Sequence, residues 1–199
     1  MKNTVGVSFK IHTAKNVSAN INSVTGSIHL ASLHGDEQFK TSTGSLHIEN
    51  ISGNVEGQTS TGSIHASNCE GNIKVETSTG SVHAAQINGM LDAETSTGSV
   101  DLDNIAAKVN ASTSTGSVSA RFDTFKADAI LSTSTGSVNV YVPKSTAANL
   151  DIEGSHINTE KLYNFSGETN KKSLKGKING GGSRLTASTN LGSVNLNFE

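Results

Sequence analysis

The pentapeptide Thr-Ser-Thr-Gly-Ser recurs every 18 residues, and a period that short admits few architectures. Its glycines are Gly44, Gly62, Gly80, Gly98 and Gly116. Gly26, in the variant Val-Thr-Gly-Ser, stands 18 residues before Gly44, and Gly136 follows Gly116 by 20, so one coil carries a two-residue insertion. Gly154 comes 18 later in the degenerate Glu-Gly-Ser. A two-helix repeat takes roughly 33–47 residues, whereas a shorter period suits one solenoid coil of short strands.

With the corner glycine as origin, the apolar residues fall into columns. Two residues after it stand Ile28, Leu46, Ile64, Val82, Val100, Val118 and Val138; four after it stand Leu30, Ile48, Ala66, Ala84, Leu102, Ala120 and Val140. Positions two and four share one face of a strand, so that face points inward. A third interior column, seven after the glycine, holds Leu33, Ile51, Cys69, Ile87 and Ile105. Gly35, Gly53, Gly71 and Gly89, nine after it, mark a second corner, where glycine permits positive φ. The strand returning to the corner carries Val55, Ile73, Leu91, Val109 and Ala129 inward, then Phe39, Val75, Ala93, Ala111 and Leu131, with Ile21 in the first coil. Lys74, Glu76, Asp92, Glu94 and Asn110 lie between them and face out.

Successive coils pair in parallel about 4.8 Å apart, so seven or eight of them make a core on the order of 35 Å long. Crossovers between parallel strands are right-handed in nearly all proteins. The expected fold is therefore all-β: a single right-handed parallel β-solenoid of 18-residue coils with atypical ends, spanning residues 1–199 as one domain. Residues 1–18 read as a capping strand on the alternation Val5, Val7, Phe9, Ile11, and residues 19–160 as regular coils. Residues 161–199 read as a capping coil or hairpin. They hold Lys161, Lys171, Lys172, Lys175 and Lys177, a pattern that blocks edge-to-edge aggregation or, alternatively, forms a basic patch. Gly180-Gly181-Gly182 reads as a turn before a closing segment around Gly192.

Apolar residues make up 33% and aromatics 4%, a composition that would suit disorder had the apolar residues not kept register with the repeat. A formal charge of -2 gives no electrostatic case for a nucleic-acid partner. The single cysteine, Cys69, forms no intrachain disulfide and sits in an apolar column as a filler. No apolar run has the length of a membrane span, so no direct membrane insertion is expected. The N-terminal sequence lacks the apolar core of a signal peptide, which leaves either a cytosolic protein or one whose leader has been removed.

The coil motif Thr77-Ser78-Thr79-Gly80-Ser81-Val82 and the segment Lys175-Gly176-Lys177-Ile178-Asn179-Gly180-Gly181-Gly182-Ser183-Arg184-Leu185 resemble a bacterial family of β-strand-repeat, adhesin-like proteins with the toast-rack solenoid fold. The resemblance covers about residues 19–198. It implies an envelope-associated, non-enzymatic solenoid with no catalytic residues and no cofactor. An extracytoplasmic or cell-envelope location is the corresponding expectation.

Three sets of residues bear on chemistry. Three residues after the corner glycine stand His29, His47, His65 and His83, then Asp101, Ser119 and Asn139. Imidazoles stacked about 4.8 Å apart can hold Zn²⁺ or a similar ion, with bonds of about 2.0–2.1 Å; the alternative is a solvated polar ladder. Thr-x-Thr pairs run from Thr41/Thr43 through Thr59/Thr61, Thr77/Thr79, Thr95/Thr97 and Thr113/Thr115 to Thr133/Thr135. They resemble the ice-binding faces of β-helical antifreeze proteins. Strand parity from Val75, however, points both threonines of each pair inward, with a bulge as the one device that would reverse it. Ser63 and His65 lie two apart on one face, about 6.8 Å along the strand, too far for a nucleophile and its base at about 2.6–3.2 Å. Phosphate-loop, paired-cysteine and zincin motifs are missing from the sequence.

The sequence thus reads as a non-enzymatic, adhesin-like binding or scaffold module of the cell envelope, its partner a protein or glycan surface. The alternatives are an ice-binding protein using the threonine ladders and a solenoid carbohydrate-active enzyme.

Overall fold

The computed structural model describes residues 11–199, so Val5, Val7 and Phe9 of the expected capping strand lie outside the described residues. Residues 11–18 are not a strand, and Ile11 is exposed. Here the chain bends: the Lys15 carbonyl accepts from both the Val17 and His34 N–H groups.

Every regular element among the described residues is a strand. The first coils pair a seven-residue strand leading into a corner with a four-residue strand leaving it: β1 (Ala19–Thr25) and β2 (Ile28–Ala31), then β3 (Glu37–Thr43) and β4 (Leu46–Glu49). After β5 (Val55–Thr61), three 16-residue strands each run from one corner glycine towards the next: β6 (Ile64–Thr79), β7 (Val82–Thr97) and β8 (Val100–Thr115). β9 (Val118–Arg121), β10 (Ala129–Thr135) and β11 (Val138–Val142) follow. The C-terminal part consists of β12 (Ala148–Glu153), β13 (His156–Thr159), β14 (Ser166–Thr169), β15 (Ser173–Ile178), β16 (Ser183–Leu191) and β17 (Ser193–Phe198).

Neighbouring coils pair in parallel and in register, so that Ile64 meets Val82, His65 meets His83 and Thr77 meets Thr95. Like residues therefore stack on like, and the chain is a β-solenoid of coils about 18 residues apart. The interior columns lie where their periodicity puts them: Leu46, Ile64, Val82, Val100, Val118 and Val138 are fully buried, and Leu91, Val75 and Ala111 face them from the opposite side. Cys69 is a buried filler between Ile51 and Ile87.

Five successive coils have a further corner that carries no glycine. Six residues after the corner glycine, Ser32, Asn50, Asn68, Gln86 and Asn104 adopt φ of 62°, 55°, 52°, 56° and 51°. Asparagine tolerates this left-handed region better than most residues. The coil is thus three-sided: one side leaves the glycine corner, a second leads back to it, and a short side between Asn68 and Gly71 joins them. The two-residue insertion falls in that short side, where Phe122 and Phe125 plug the core edge to face with centroids 5.2 Å apart.

The C-terminal part breaks sequence order. β16 lies between β10 and β12, parallel to both, and β17 lies between β11 and β13. Gly192 therefore stacks on Gly136, in the place that an unbroken register gives to Gly154. The Thr189 hydroxyl donates to the Gly136 carbonyl at 2.9 Å, as in the regular corners, whereas Gly154 stands beside Thr189, because β12 pairs with β16 with Asp151 opposite Thr186 and Glu153 opposite Ser188. β15 runs antiparallel along β12, and Gly180–Gly182 carries the chain across the start of β12 into β16. β14 forms the outer edge beyond β15, exposed along its length, and Lys175 pairs there with Asp151 and Glu153.

Candidate functional site

The repeated pentapeptide divides into committed and uncommitted residues. The first threonine of each motif is buried, and its hydroxyl donates to the carbonyl of the preceding corner glycine. Thr59 bonds Gly44, Thr77 bonds Gly62, Thr95 bonds Gly80, Thr113 bonds Gly98 and Thr133 bonds Gly116, all at 2.9 Å. The glycine holds φ between 140° and 148° from Gly44 to Gly136, and a Cβ there would strike the carbonyl of the glycine below. The serine after it accepts, through its Oγ, the N–H of the corresponding serine in the next coil, as with Ser45 on Ser27 at 3.1 Å, Ser99 on Ser81 at 3.2 Å and Ser137 on Ser117 at 3.3 Å.

The second threonine differs from its expected placement. Thr43, Thr61, Thr79, Thr97, Thr115 and Thr135 face solvent, beside Ser42, Ser60, Ser78, Ser96, Ser114 and Ser134. Strand alternation ends at the buried threonine, because its bond to the lower glycine bends the chain into the corner. Two consecutive residues then point outward. The twelve hydroxyls form an uncharged ridge along the corner, and none of them bonds another described side chain. Committed and uncommitted threonines look alike in the sequence; only the position of the bend tells them apart.

On the side leaving the corner, the four histidines form the expected column. His47 and His65 stack with centroids 5.0 Å apart and planes 4° apart; His65 and His83 stack at 5.0 Å and 14°; His29 meets His47 edge-on at 5.9 Å. Burial, then the nearness of His83 and His47, holds the His65 imidazole below its usual pKa. The ends of the column meet carboxylates: His29 Nε2 lies 3.8 Å from Glu49 Oε2, and His83 Nδ1 lies 3.4 Å from Asp101 Oδ2. The sequence reading assigned neither carboxylate to the histidines; the signal lay in the register, which sets Asp101 on the rung after His83. As they stand, no three such donors among the described residues converge on one point.

A shallow groove of about 480 Å³ runs beside this column. His65, His83 and Asp101 form one wall, Ser67, Ala85 and Asp103 the other, and Arg121 over the Tyr141 ring, 4.8 Å from its centroid, closes one end. Arg121 is also paired with Asp103 and Glu199. Serine, histidine and aspartate do meet in the column, but in the order His83, Asp101, Ser119. The carboxylate stands between the base and the hydroxyl, two rungs or roughly 9.6 Å apart, so Ser119 has no base within hydrogen-bonding reach. Ser63 and His65 are likewise not brought together.

One buried carboxyl escaped the sequence reading. Glu37 takes the place that Val55 holds in the next coil, is 2% exposed, and accepts the Ala19 N–H through Oε2 at 2.9 Å, while Oε1 has no partner. Burial pushes its pKa up.

The family model described as Toastrack DUF4097 matches residues 18–197, and the chain belongs to that family. That description names an architecture and no activity. No curated protein and no solved structure matches the chain.

Proposed function

We propose that this Toastrack domain is a non-catalytic, adhesin-like binding or scaffold module that works outside the cytoplasm, with the Ser-Thr ridge as its contact face. One observation carries the reading. The coil 183–198 keeps the three committed residues of the motif, Thr189, Gly192 and Ser193, and makes the same bond to the coil below. It replaces the exposed pair with Asn190 and Leu191. A coil of this shape therefore does not need an outward Ser-Thr pair, yet six others carry it unchanged. Over the same coils the neighbouring outward column drifts from histidine to aspartate, serine and asparagine.

A rigid row of identical groups suits a repetitive partner, because each contact after the first is made at high effective concentration. A parallel ladder also holds the row in place, which lowers the ordering cost of binding. Hydroxyls that donate and accept, set beside threonine methyls, suit a glycan or a polar protein surface.

Cell fractionation coupled to a pull-down with the purified chain tests the proposal. Recovery with the envelope fraction and capture of a partner are expected, with capture lost in a Ser60→Ala/Thr61→Val/Ser78→Ala/Thr79→Val variant that still melts like the native chain. Recovery in the cytosol alone refutes the location, and undiminished capture by the variant refutes the ridge.

A second reading, ice binding, draws on the outward placement of Thr43 through Thr135. Thermal hysteresis of the native chain, lost in the same variant, is the result that would favour it.

A further inference from the structure

The geometry points to a divalent transition-metal site, suited to Zn²⁺, on three successive rungs of one side of the solenoid: His65, His83 and Asp101. Two of the donors already stand at the right separation. Two ligands bound at about 2.0–2.2 Å in a tetrahedral arrangement lie about 3.4 Å apart, and His83 Nδ1 lies 3.4 Å from Asp101 Oδ2. The third donor is one rung from His83 and two rungs, roughly 9.6 Å along the stack, from Asp101, a span the two side chains bridge by reaching towards each other. His65 pairs with His83 in the parallel ladder, its ring stacked at 5.0 Å. A stack leaves the ring nitrogens parallel, and turning His65 about its side-chain bonds brings one of them towards the ion. The His83 and Asp101 side chains are 46% and 47% exposed, and His65 is exposed as well; the turn gives up its stacks on His47 and His83, both at 5.0 Å.

Asp101 is the carboxylate free to meet a cation at this end of the column, since Asp103, two residues beyond it in the same groove, is paired with Arg121 at 3.7 Å. The Asp101 carboxylate offsets part of the charge of the ion, and two imidazoles with one carboxylate select a transition metal over Mg²⁺ or Ca²⁺, which take oxygen donors. A water or a ligand carboxylate completes the tetrahedron from the open groove. The set His29, His47 and Glu49, at the other end of the column, is the natural comparison. Its nearest donors, His29 Nε2 and Glu49 Oε2, are 3.8 Å apart, beyond the tetrahedral separation, and His29 meets His47 edge-on. An ion on His65, His83 and Asp101 clamps β6, β7 and β8 together on their outward face. The site stands independently of the binding reading of the ridge.

Titration of the full chain with ZnCl₂, followed by calorimetry and by thermal melting, tests the site. One ion per chain with a Kd in the micromolar range or below is expected, with a higher Tm in its presence, and no response to MgCl₂ or CaCl₂. His83→Ala abolishes the binding and Asp101→Asn weakens it at least tenfold. His29→Ala leaves it unchanged. Asp101→Asn alters an exposed group and keeps the fold, which a zinc-free melt matching the native chain verifies. Unchanged affinity in Asp101→Asn, or equal weakening by His29→Ala, overturns the assignment. Binding of several ions per chain at millimolar zinc, without a rise in Tm, identifies an adventitious ion only and overturns it as well.

Discussion

The central coils and the C-terminal part build the same corner by different routes. Between Gly44 and Gly136 each coil stacks on the one that precedes it in sequence, and the corner bonds span 15 or, across the insertion, 17 residues. At Gly192 the same threonine-to-glycine bond spans 53 residues, because β12 to β15 intervene in sequence but not in the stack. The corner recognises a chemical pattern, Thr-x-x-Gly-Ser, and is indifferent to how much chain separates the partners. Gly154 shows the converse: it keeps the spacing and lacks the threonine, and it does not take the place above Gly136.

Substitutions in matched positions probe that difference. The largest effect is expected inside the regular stack, where Val100→Asp buries an unpaired charge in a fully buried column and costs several kcal/mol. Glu94→Ala, on the outward face of the same stack, stays within about 0.5 kcal/mol. Comparable losses in denaturant midpoint for the two would break the assignment of inward and outward columns.

Next come the corner glycines. Gly98→Ala and Gly192→Ala both place a methyl group against the carbonyl of the glycine below, at φ of 144° and 154°. Each should cost roughly 2–4 kcal/mol, since neither the clash nor the backbone conformation can be relieved locally. Gly154→Ala meets only the methyls of Thr189 and Val194 and a backbone oxygen at 3.2 to 3.4 Å. Its cost should be under about 1 kcal/mol. If Gly154→Ala proved as damaging as Gly192→Ala, the stacking order of the C-terminal coils would be in error.

The two threonines of one motif sharpen the comparison on a finer scale. Thr77→Val removes the donor to the Gly62 carbonyl and should cost about 1 kcal/mol. Thr189→Val should cost the same, because its bond to Gly136 has the same length despite its longer reach in sequence. Thr79→Val, exposed on the ridge, should be neutral within about 0.5 kcal/mol. Urea denaturation of the three variants reads these differences.

The smallest effect belongs to the first coils. Glu37 occupies an interior column, and burial raises its carboxyl pKa. A group whose folded-state pKa is raised lends stability that is complete below its unfolded value, ordinarily near 4.3, and is lost as pH rises through the folded value. Glu37→Gln should therefore flatten the decline in stability above that range. An unchanged pH profile of Tm would show that the Glu37 side chain is solvated after all.

Much of the coil was legible in the sequence, and the residues show why. The columns of Val100, Leu102 and Ile105 have a period of two interrupted at corners, and a buried position tolerates only apolar groups, so pattern and burial coincide. Gly44 to Gly136 were legible as corners for a similar reason: an L residue with a Cβ does not fit. The corner at Ser32, Asn50, Asn68, Gln86 and Asn104 was not, because its left-handed φ is shared by polar residues that are also common in outward positions. Thr79 was misplaced because parity was carried one step too far, past a bend made by the hydroxyl of Thr77 and a carbonyl 15 residues away. Of the histidine column, its four members and their stacking order could be read; the carboxylates at its ends could not be joined to them without the distances.

The sequence by itself determined the shape of one coil, since the interior columns, the glycine corners and the hydroxyls next to them are local consequences of side-chain size and bonding capacity. Tertiary structure alone decided which coils are neighbours at the C-terminal end, which threonines are committed, and how His83 faces Asp101. The first depends on pairing between segments far apart in the chain, where many registers satisfy the same local pattern; the other two depend on the bend at the corner and on side-chain geometry that a residue pattern does not carry. The register adopted brings the Thr189 hydroxyl, the Gly136 carbonyl and the buried rows on both sides into place together.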